Sequence, residues 1–449
     1  MIKRGGIMEN KKLAILVSIL NKLWKFSWPI IRRAHWEHWV ILVLSMFIFI
    51  QNFNWIFSGG EISKEKKEVK VERVCGLDSV ASLPCRGQLN VDFDILADID
   101  KARLLLEGNE AGFTLGRKEL YKFKDCKVQK KVPIKKRKGK FKIVTVKGKC
   151  KQTWTVPYLK DYNVLLAVEN VNERIIKLIR IPAKGKGLVK GFGIDRGNPN
   201  GVNTEFEVTH PEGFIVLGLR RVVQFDGKYK EVVYTPYTKE LDIPAIRQRG
   251  LEYLQDKILA AKNELASLGV RSHAFSGENV SEVVPTEVSL CLSIIEHIDP
   301  ARFLRGESSE SLTNEVLTIV GANGNLAYRY SISKSKARGL FQFIPKTYRN
   351  LKGIYQEARL TPDFIEGMEN HFNGAKASLL LFDSDLAYLS PKYREKLRNS
   401  PEDMGKYLAA AYNCGSPRAA KSINSGGALP EETRVYLLKF GEIWNLLNR

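Results

Sequence analysis

Hydrophobic and polar positions divide this chain into three stretches with different periods. Residues 39–57 (WVILVLSMFIFIQNFNWIF) are apolar almost throughout, interrupted only by Ser45, Gln51, Asn52 and Asn54. As a helix at about 1.5 Å per residue this run reaches roughly 28 Å, close to the hydrocarbon thickness of a bilayer. Trp36, Trp39 and Trp55 stand near its ends, where interfacial aromatics gather. The pattern predicts a membrane-spanning helix, with a buried core helix as the alternative. From 91 to 235 the period shortens. Residues 141–146 (FKIVTV), 162–168 (YNVLLAV), 174–181 (RIIKLIRI) and 214–223 are β-branched or aromatic runs between Gly, Pro and Asn turns. They predict a mainly β region.

Beyond 236–244 the period becomes helical. Leu251, Leu254, Ile258, Ala261, Leu265 and Leu268 recur at three- and four-residue intervals and stop at Gly269. A second helix is predicted from near Pro285 through Val288, Leu292 and Ile295 to Glu296, followed by His297 and Asp299-Pro300. Residues 363–385 place Phe364, Met368, Phe372, Ala375 and Leu379 on one side of a helix, and a last amphipathic helix carries Thr433, Tyr436, Leu437, Phe440, Ile443 and Trp444. His371 has no partners at ligand spacing and reads as structural. Residues 315–320 (EVLTIV) and 327–333 (AYRYSIS) flank a Gly-Ala-Asn-Gly turn and predict a β-hairpin able to act as a flap beside a cleft.

A chain of 449 residues exceeds one ordinary core. The expected fold class is α+β and multidomain. Its parts are a cytoplasmic amino terminus with a transmembrane signal anchor (1–60), a charged linker (61–73), a basic mainly β accessory domain (74–240), a connecting helix (241–284) and a mainly α domain with a hairpin insert (285–449). Charge sets the orientation. Lys3, Arg4, Lys11, Lys12, Lys22, Lys25, Arg32 and Arg33 precede the apolar run against Glu9 and Glu37 alone, whereas Glu61, Glu65, Glu68 and Glu72 offset the lysines after it. The positive-inside rule then keeps the amino terminus in the cytoplasm and exports everything beyond Gly60. No small-x-small cleavage site follows, so the expected location is a single-pass, uncleaved anchor in the inner (cytoplasmic) membrane. Residues 13–31, interrupted by Lys22, Lys25 and Pro29, are expected along the membrane surface.

The net charge of +22 points to an anionic partner. Between Lys122 and Lys151 nearly half the residues are Lys or Arg, and Asp125 is the only acid. Strand alternation would put the lysines on one solvated face. Their density favours contact with an anionic envelope polymer or lipid headgroups over simple edge protection. Few aromatics are present to stack bases, so no nucleic-acid partner is expected. Residues 191–197 (GFGIDRG) lack the dinucleotide-binding spacing, and no cofactor is expected. Cys75, Cys85, Cys126 and Cys150 do not follow zinc-site spacing. Local disulfides Cys75–Cys85 and Cys126–Cys150 are one reading, and free buried thiols the other.

Three motifs carry chemistry. Residues 337–348 read ARGLFQFIPKTY, 410–415 read AAYNCG and 429–436 read LPEETRVY. In this order they resemble the "GLMQ…MP.T", "AAYNAG" and "LP.ET..Y" motifs of the soluble lytic transglycosylases, lysozyme-like glycosidases of glycoside hydrolase family 23. The resemblance covers only the C-terminal region and implies a lysozyme-like fold there. It further implies a lyase-type cleavage of the β-1,4 bond between N-acetylmuramic acid and N-acetylglucosamine in peptidoglycan, with a 1,6-anhydro product and no water consumed. By the same resemblance Glu296, ending its apolar helix, is the single acid and base, Gln342, Tyr412 and Asn413 hold the sugar, and Tyr436 supports the Glu. Each of these could instead be a satisfied core polar group. His297 stands where the family has Ser, Cys414 where it has Ala, and the segment between Glu296 and Gly339 is longer than usual. Glu307-Ser308 reproduces the family's Glu-Ser pair and makes Glu307 a competitor. A general acid needs a raised pKa, and apolar surroundings near Ile294, Ile295 and Phe341 would supply it. A hydrolytic muramidase and an inactive wall-binding scaffold are the alternatives.

Overall fold

In the computed structural model the chain is described over residues 94–448, apart from 134–138, 140, 184–186 and 198–199. Helix α1 (Ile95–Glu107) starts where the Asp94 side chain accepts from the Ala97 amide at 3.1 Å, satisfying one of the free donors of the first turn. Its apolar side (Ile95, Ile99, Ala102, Leu106) is buried against one face of a sheet.

That sheet is antiparallel, with order β1-β2-β7-β8 and β3 also paired to β2. The strands are β1 (Phe113–Pro133), β2 (Phe141–Asn170), β3 (Ile175–Pro182), β7 (Phe214–Phe225) and β8 (Lys228–Tyr234). A three-stranded sheet of β4 (Gly187–Val189), β5 (Phe192–Arg196) and β6 (Phe206–His210) accompanies it. Strand β2 changes partners along its length: its first part pairs with β1, and its last residues lie between β3 and β7. The unbroken apolar run of this last part follows from burial on both faces. Leu165 and Ala167 meet α1, while Val164, Leu166 and Val168 join the large core shared with the helices. The strands expected at 162–168, 174–181 and 214–223 are thus present, and 191–197 lies on and around β5.

The first part of β2 and all of β1 form a long two-stranded arm with neither face covered. Cys126 and Cys150 are joined by a disulfide across it, whereas Cys75 and Cys85 lie outside the described residues. The lysines do not keep to one face as expected. Lys118, Lys122, Lys124, Lys130 and Lys142 share a face with Leu120, Val128, Val144, Val146 and Trp154, and Lys127, Lys131, Lys147, Lys149 and Lys151 share the other with Tyr121, Phe123 and Ile143. With no core on either side, alternation has nothing to sort against.

Helix α2 (Pro244–Ser267) buries Ile246, Gly250, Leu254, Ile258, Ala261 and Leu265. It is followed by α3 (Val280–Val283), α4 (Thr286–Ile295), α5 (Pro300–Leu304), α6 (Ser309–Asn323), α7 (Pro345–Ile354), α8 (Phe364–Glu369), α9 (His371–Leu386), α10 (Pro391–Arg398), α11 (Pro401–Cys414), α12 (Ser416–Ser425) and α13 (Glu431–Leu447). The core passes without a break from the sheet into these helices, and the described residues belong to one compact unit.

Two parts of the expected fold class are corrected. The segment read as a β-hairpin forms none: α6 takes in 315–320, and 327–333 is a turn with a single bridge residue, Ile332. The β-branched run of 315–320 is overruled by tertiary packing, since Leu312, Val316, Leu317, Ile319 and Val320 are buried at helical spacing. A Cβ at Gly321 would lie 2.0 Å from the Ile246 carbonyl oxygen, and one at Gly250 would lie 2.1 Å from that of Leu317. These two glycines let the backbones of α2 and α6 touch. The Asn-Gly pair ends α6, with Gly324 at φ 54°. The Asn323 side chain grips the backbone of Thr235, accepting from its N–H at 2.9 Å and donating to its C=O at 2.7 Å. The second correction concerns the membrane. Among the described residues no helix is long and apolar enough to cross a bilayer. The longest, α2, has 24 residues but is amphipathic, with charged positions throughout. The described residues therefore give no support to the single-pass anchoring and the inner-membrane location expected above. Residues 13–31 and 39–57 themselves lie outside the described residues.

Candidate active site

Glu296 is the C-cap of α4, the helix whose Val288 to Ile295 are all buried. The apolar run fixes the helix in the core and delivers the carboxyl at its end, half-buried. One oxygen, Oε1, accepts from the Tyr436 hydroxyl at 2.6 Å. Burial pushes the carboxyl up to about 7, while the Tyr436 hydrogen bond and the Lys439 ammonium draw it down. Both helpers come from α13, where 436, 439, 440 and 443 share the inward face. Lys439 Nζ donates to the carbonyls of Ile295 and Ile298 at 3.3 Å each, tying α13 to the turn that follows α4. Desolvation lowers the pKa of this ammonium, and Glu296 raises it.

The 338–343 loop is tied to this helix end through His297 and to α11 through Tyr412. Gly339 sits at φ 74°, and a Cβ there would lie 2.3 Å from the Met368 carbonyl oxygen. The loop closes through Arg338 N–H to Phe343 C=O at 3.1 Å. Gln342 adopts φ 46°, and its side-chain amide donates back to Gly339 C=O at 2.7 Å. Leu340, Phe341 and Phe343 are buried, while Gln342 is half-buried between them. The Gly339 turn turns this amide out of the apolar row. The Tyr412 hydroxyl on α11 donates to Phe341 C=O. Burial pushes the Tyr412 phenol well above its ordinary pKa, and Glu296 and Asp385 add to the shift.

His297 makes the other of these ties. Its Nε2 lies 2.8 Å from Leu340 C=O, and its ring stacks on Tyr328 with centroids 3.4 Å apart. Burial drives this imidazole down to about 3. It is therefore neutral, and its N–H ties the end of α4 to the loop. Asn413 is half-buried, and its Oδ1 accepts from Thr433 Oγ1 at 2.6 Å, one turn before Tyr436. The structure therefore brings Glu296, Tyr436, Tyr412 and the Gln342 loop together and joins Asn413 to the Tyr436 helix. Cys414 is half-buried. His371 bridges Tyr253 Oη at 3.0 Å and Ala327 C=O at 2.9 Å.

Glu307 stands in another setting. Arg302 grips it with Nε at 2.8 Å and Nη2 at 2.5 Å and also reaches Glu315 at 2.6 Å. The Arg302 hydrogen bonds hold the Glu307 carboxyl below the ordinary carboxylate range. Ser308 caps α6 by accepting from the Ser311 N–H at 3.0 Å. The local Glu-Ser pair thus belongs to a helix start. Residue reasoning missed Lys439 and Tyr328. Lys439 was detectable as a cation on the apolar face of an amphipathic helix, whereas nothing local marks Tyr328. No family model matches the chain, and no curated protein or solved structure gives a match.

Proposed function

We propose that the chain is a peptidoglycan lytic transglycosylase in which Glu296 serves as both acid and base. The reading is carried by a carboxyl at the end of a buried helix, held by Tyr436 and raised by burial to about 7, so that near neutral pH it can both give and take a proton. The first step needs that proton, delivered to the glycosidic oxygen. The same group, then a carboxylate, draws the muramyl 6-hydroxyl onto C1 to close the anhydro ring. Burial is what raises Glu296, with no neighbouring carboxylate contributing. This suits a mechanism with one acid better than the paired carboxylates of hydrolytic glycosidases. In this reading Gln342, Tyr412 and Asn413 would hold the N-acetyl and hydroxyl groups of the sugar, exchanging their contacts with Gly339, Phe341 and Thr433 for contacts with it.

The basic arm supplies the wall contact in this account. Its lysines on both faces would meet the carboxylates of an anionic envelope polymer, with Lys122 over Trp154 and Lys151 over Tyr121 holding cations beside exposed rings. The test is turnover of purified peptidoglycan by the full chain. Glu296→Gln should lose turnover by at least about 10²-fold, the low end for a general acid. Glu307→Gln should retain it. The reverse pattern would move the chemistry to Glu307 and end the reading.

A further inference from the structure

Beyond the Cys126–Cys150 bond the arm continues for seven residue pairs, from Lys127 opposite Lys147 to Pro133 opposite Phe141. This distal part has no core on either face, and Phe141 and Ile143 are exposed on it. It carries Lys127, Lys130, Lys131, Lys142 and Lys147 and no acid. Lys127 faces Lys147 directly, and like charges at opposed positions push strands apart. A two-stranded ribbon without a packed face is marginal in water even before that repulsion is counted. The root of the arm is held differently. There Gly112 N–H donates to Glu231 at 2.6 Å and Asn163 N–H donates to Gly112 C=O at 3.0 Å, tying the ribbon to the sheet. The disulfide is therefore the tie on which the distal ladder depends.

That tie is within reach of solvent. Cys150 is exposed and Cys126 half-buried. The two occupy diagonal positions on one face, since Cys126 pairs with Gly148 and Cys150 with Lys124. Lys124 thus stands opposite Cys150, and Lys122 is the next residue along the same face. Nearby ammonium groups favour a thiolate over a thiol and so ease the departure of a sulfur expelled by an attacking thiol. Accessible disulfides are the labile ones, whereas buried ones resist exchange.

We propose that the Cys126–Cys150 bond is a redox latch that decides whether the distal arm is a formed β-ribbon. Its opener is a dithiol reductant. One thiolate of the reductant attacks the Cys150 sulfur, forms a mixed disulfide and expels the Cys126 sulfur as a thiolate, which takes a proton from water. The second thiol of the reductant then attacks the mixed disulfide, releases Cys150 and closes the reductant's own disulfide. Two electrons pass to the protein, which keeps two thiols. Opening frees a loop of 24 positions, so the distal strands separate and the lysine surface they present together is lost. The latch acts on the arm and does not rest on the glycosidase reading.

The experiment follows hydrogen exchange of the full chain, peptide by peptide, with and without dithiothreitol. Reduction should speed exchange at 127–133 and 141–147 by on the order of a hundredfold, the effect of no longer closing a loop of this length. Peptides from α2 and α13 should keep their rates. N-ethylmaleimide should then label Cys126 and Cys150 without denaturant. Cys126→Ser combined with Cys150→Ser should exchange like the reduced chain and should not respond to dithiothreitol, which separates this bond from any contribution of Cys75 and Cys85. A reduced arm as protected as the oxidised one overturns the latch, and so does a bond that dithiothreitol opens only in guanidinium. Turnover of peptidoglycan is read separately, so its absence would end the glycosidase reading and leave the latch standing.

Discussion

Replacing Glu296 by Gln isolates what burial does to this carboxyl. In the folded chain it ionises near 7 instead of the ordinary 4.5. Between those values the folded state holds a proton that the unfolded state has released, so stability falls as pH rises through this window and levels off above it. One pH unit is worth about 1.36 kcal/mol, so roughly 2.5 units set a ceiling of about 3.4 kcal/mol. The side chain is only half-buried, and solvent screening reduces this to about 1–2 kcal/mol. Gln has no proton to lose and can still accept from Tyr436. Parent and variant should therefore melt together near pH 4 and separate between about pH 5 and 7, with the variant higher by about 1–3 °C at pH 8. Circular dichroism melts across this range measure the difference directly. A variant that melts below the parent at pH 8, or by a constant offset at every pH, would refute the claim that burial holds this carboxyl protonated.

Other perturbations probe separate parts of the account. Tyr436→Phe removes a hydrogen bond that favours the carboxylate, so the alkaline limb of the pH–rate profile should move up by on the order of one pH unit; an unmoved limb would detach Tyr436 from the acid. Gly321→Ala puts a Cβ against the Ile246 carbonyl and should cost about 1–3 kcal/mol or more, read as a lower urea midpoint; an unchanged midpoint contradicts the close approach of α2 and α6. Replacing Lys127, Lys131, Lys147 and Lys149 together by Gln should weaken sedimentation with cell wall, most at low salt where exposed charges are least screened. Equal sedimentation at low salt would reduce the arm's lysines to edge protection.

What was legible in the sequence depended on how local its cause is. The helix ending at Glu296 reads directly, because ten residues of apolar period stop at one carboxyl. The inner strands read from continuous β-branched runs, and the Cys126–Cys150 bond fits a spacing that spans one hairpin. The 315–333 segment misled because EVLTIV has strand propensity and Asn-Gly is a hairpin signal. Its helix is decided by Gly250 and Gly321, 71 positions apart in sequence, and by Thr235, which Asn323 binds like a neighbouring strand. The lysine faces misled because alternation implies a core on one side, and the arm has none. Glu296 and Glu307 were separable in sequence only by their neighbours. Arg302, five residues away, turns that difference into opposite shifts of their pKa values.

The central claim is the chemistry at Glu296, and mass spectrometry of the soluble products tests it most directly. The full chain is incubated with purified peptidoglycan beside its Glu296→Gln form, and the released muropeptides are weighed. The account predicts 1,6-anhydro ends, lighter by one water than the reducing ends of a hydrolase, from the parent and not from the variant. Reducing ends would point to a muramidase instead, and no release from the parent would leave Glu296 without the activity proposed for it.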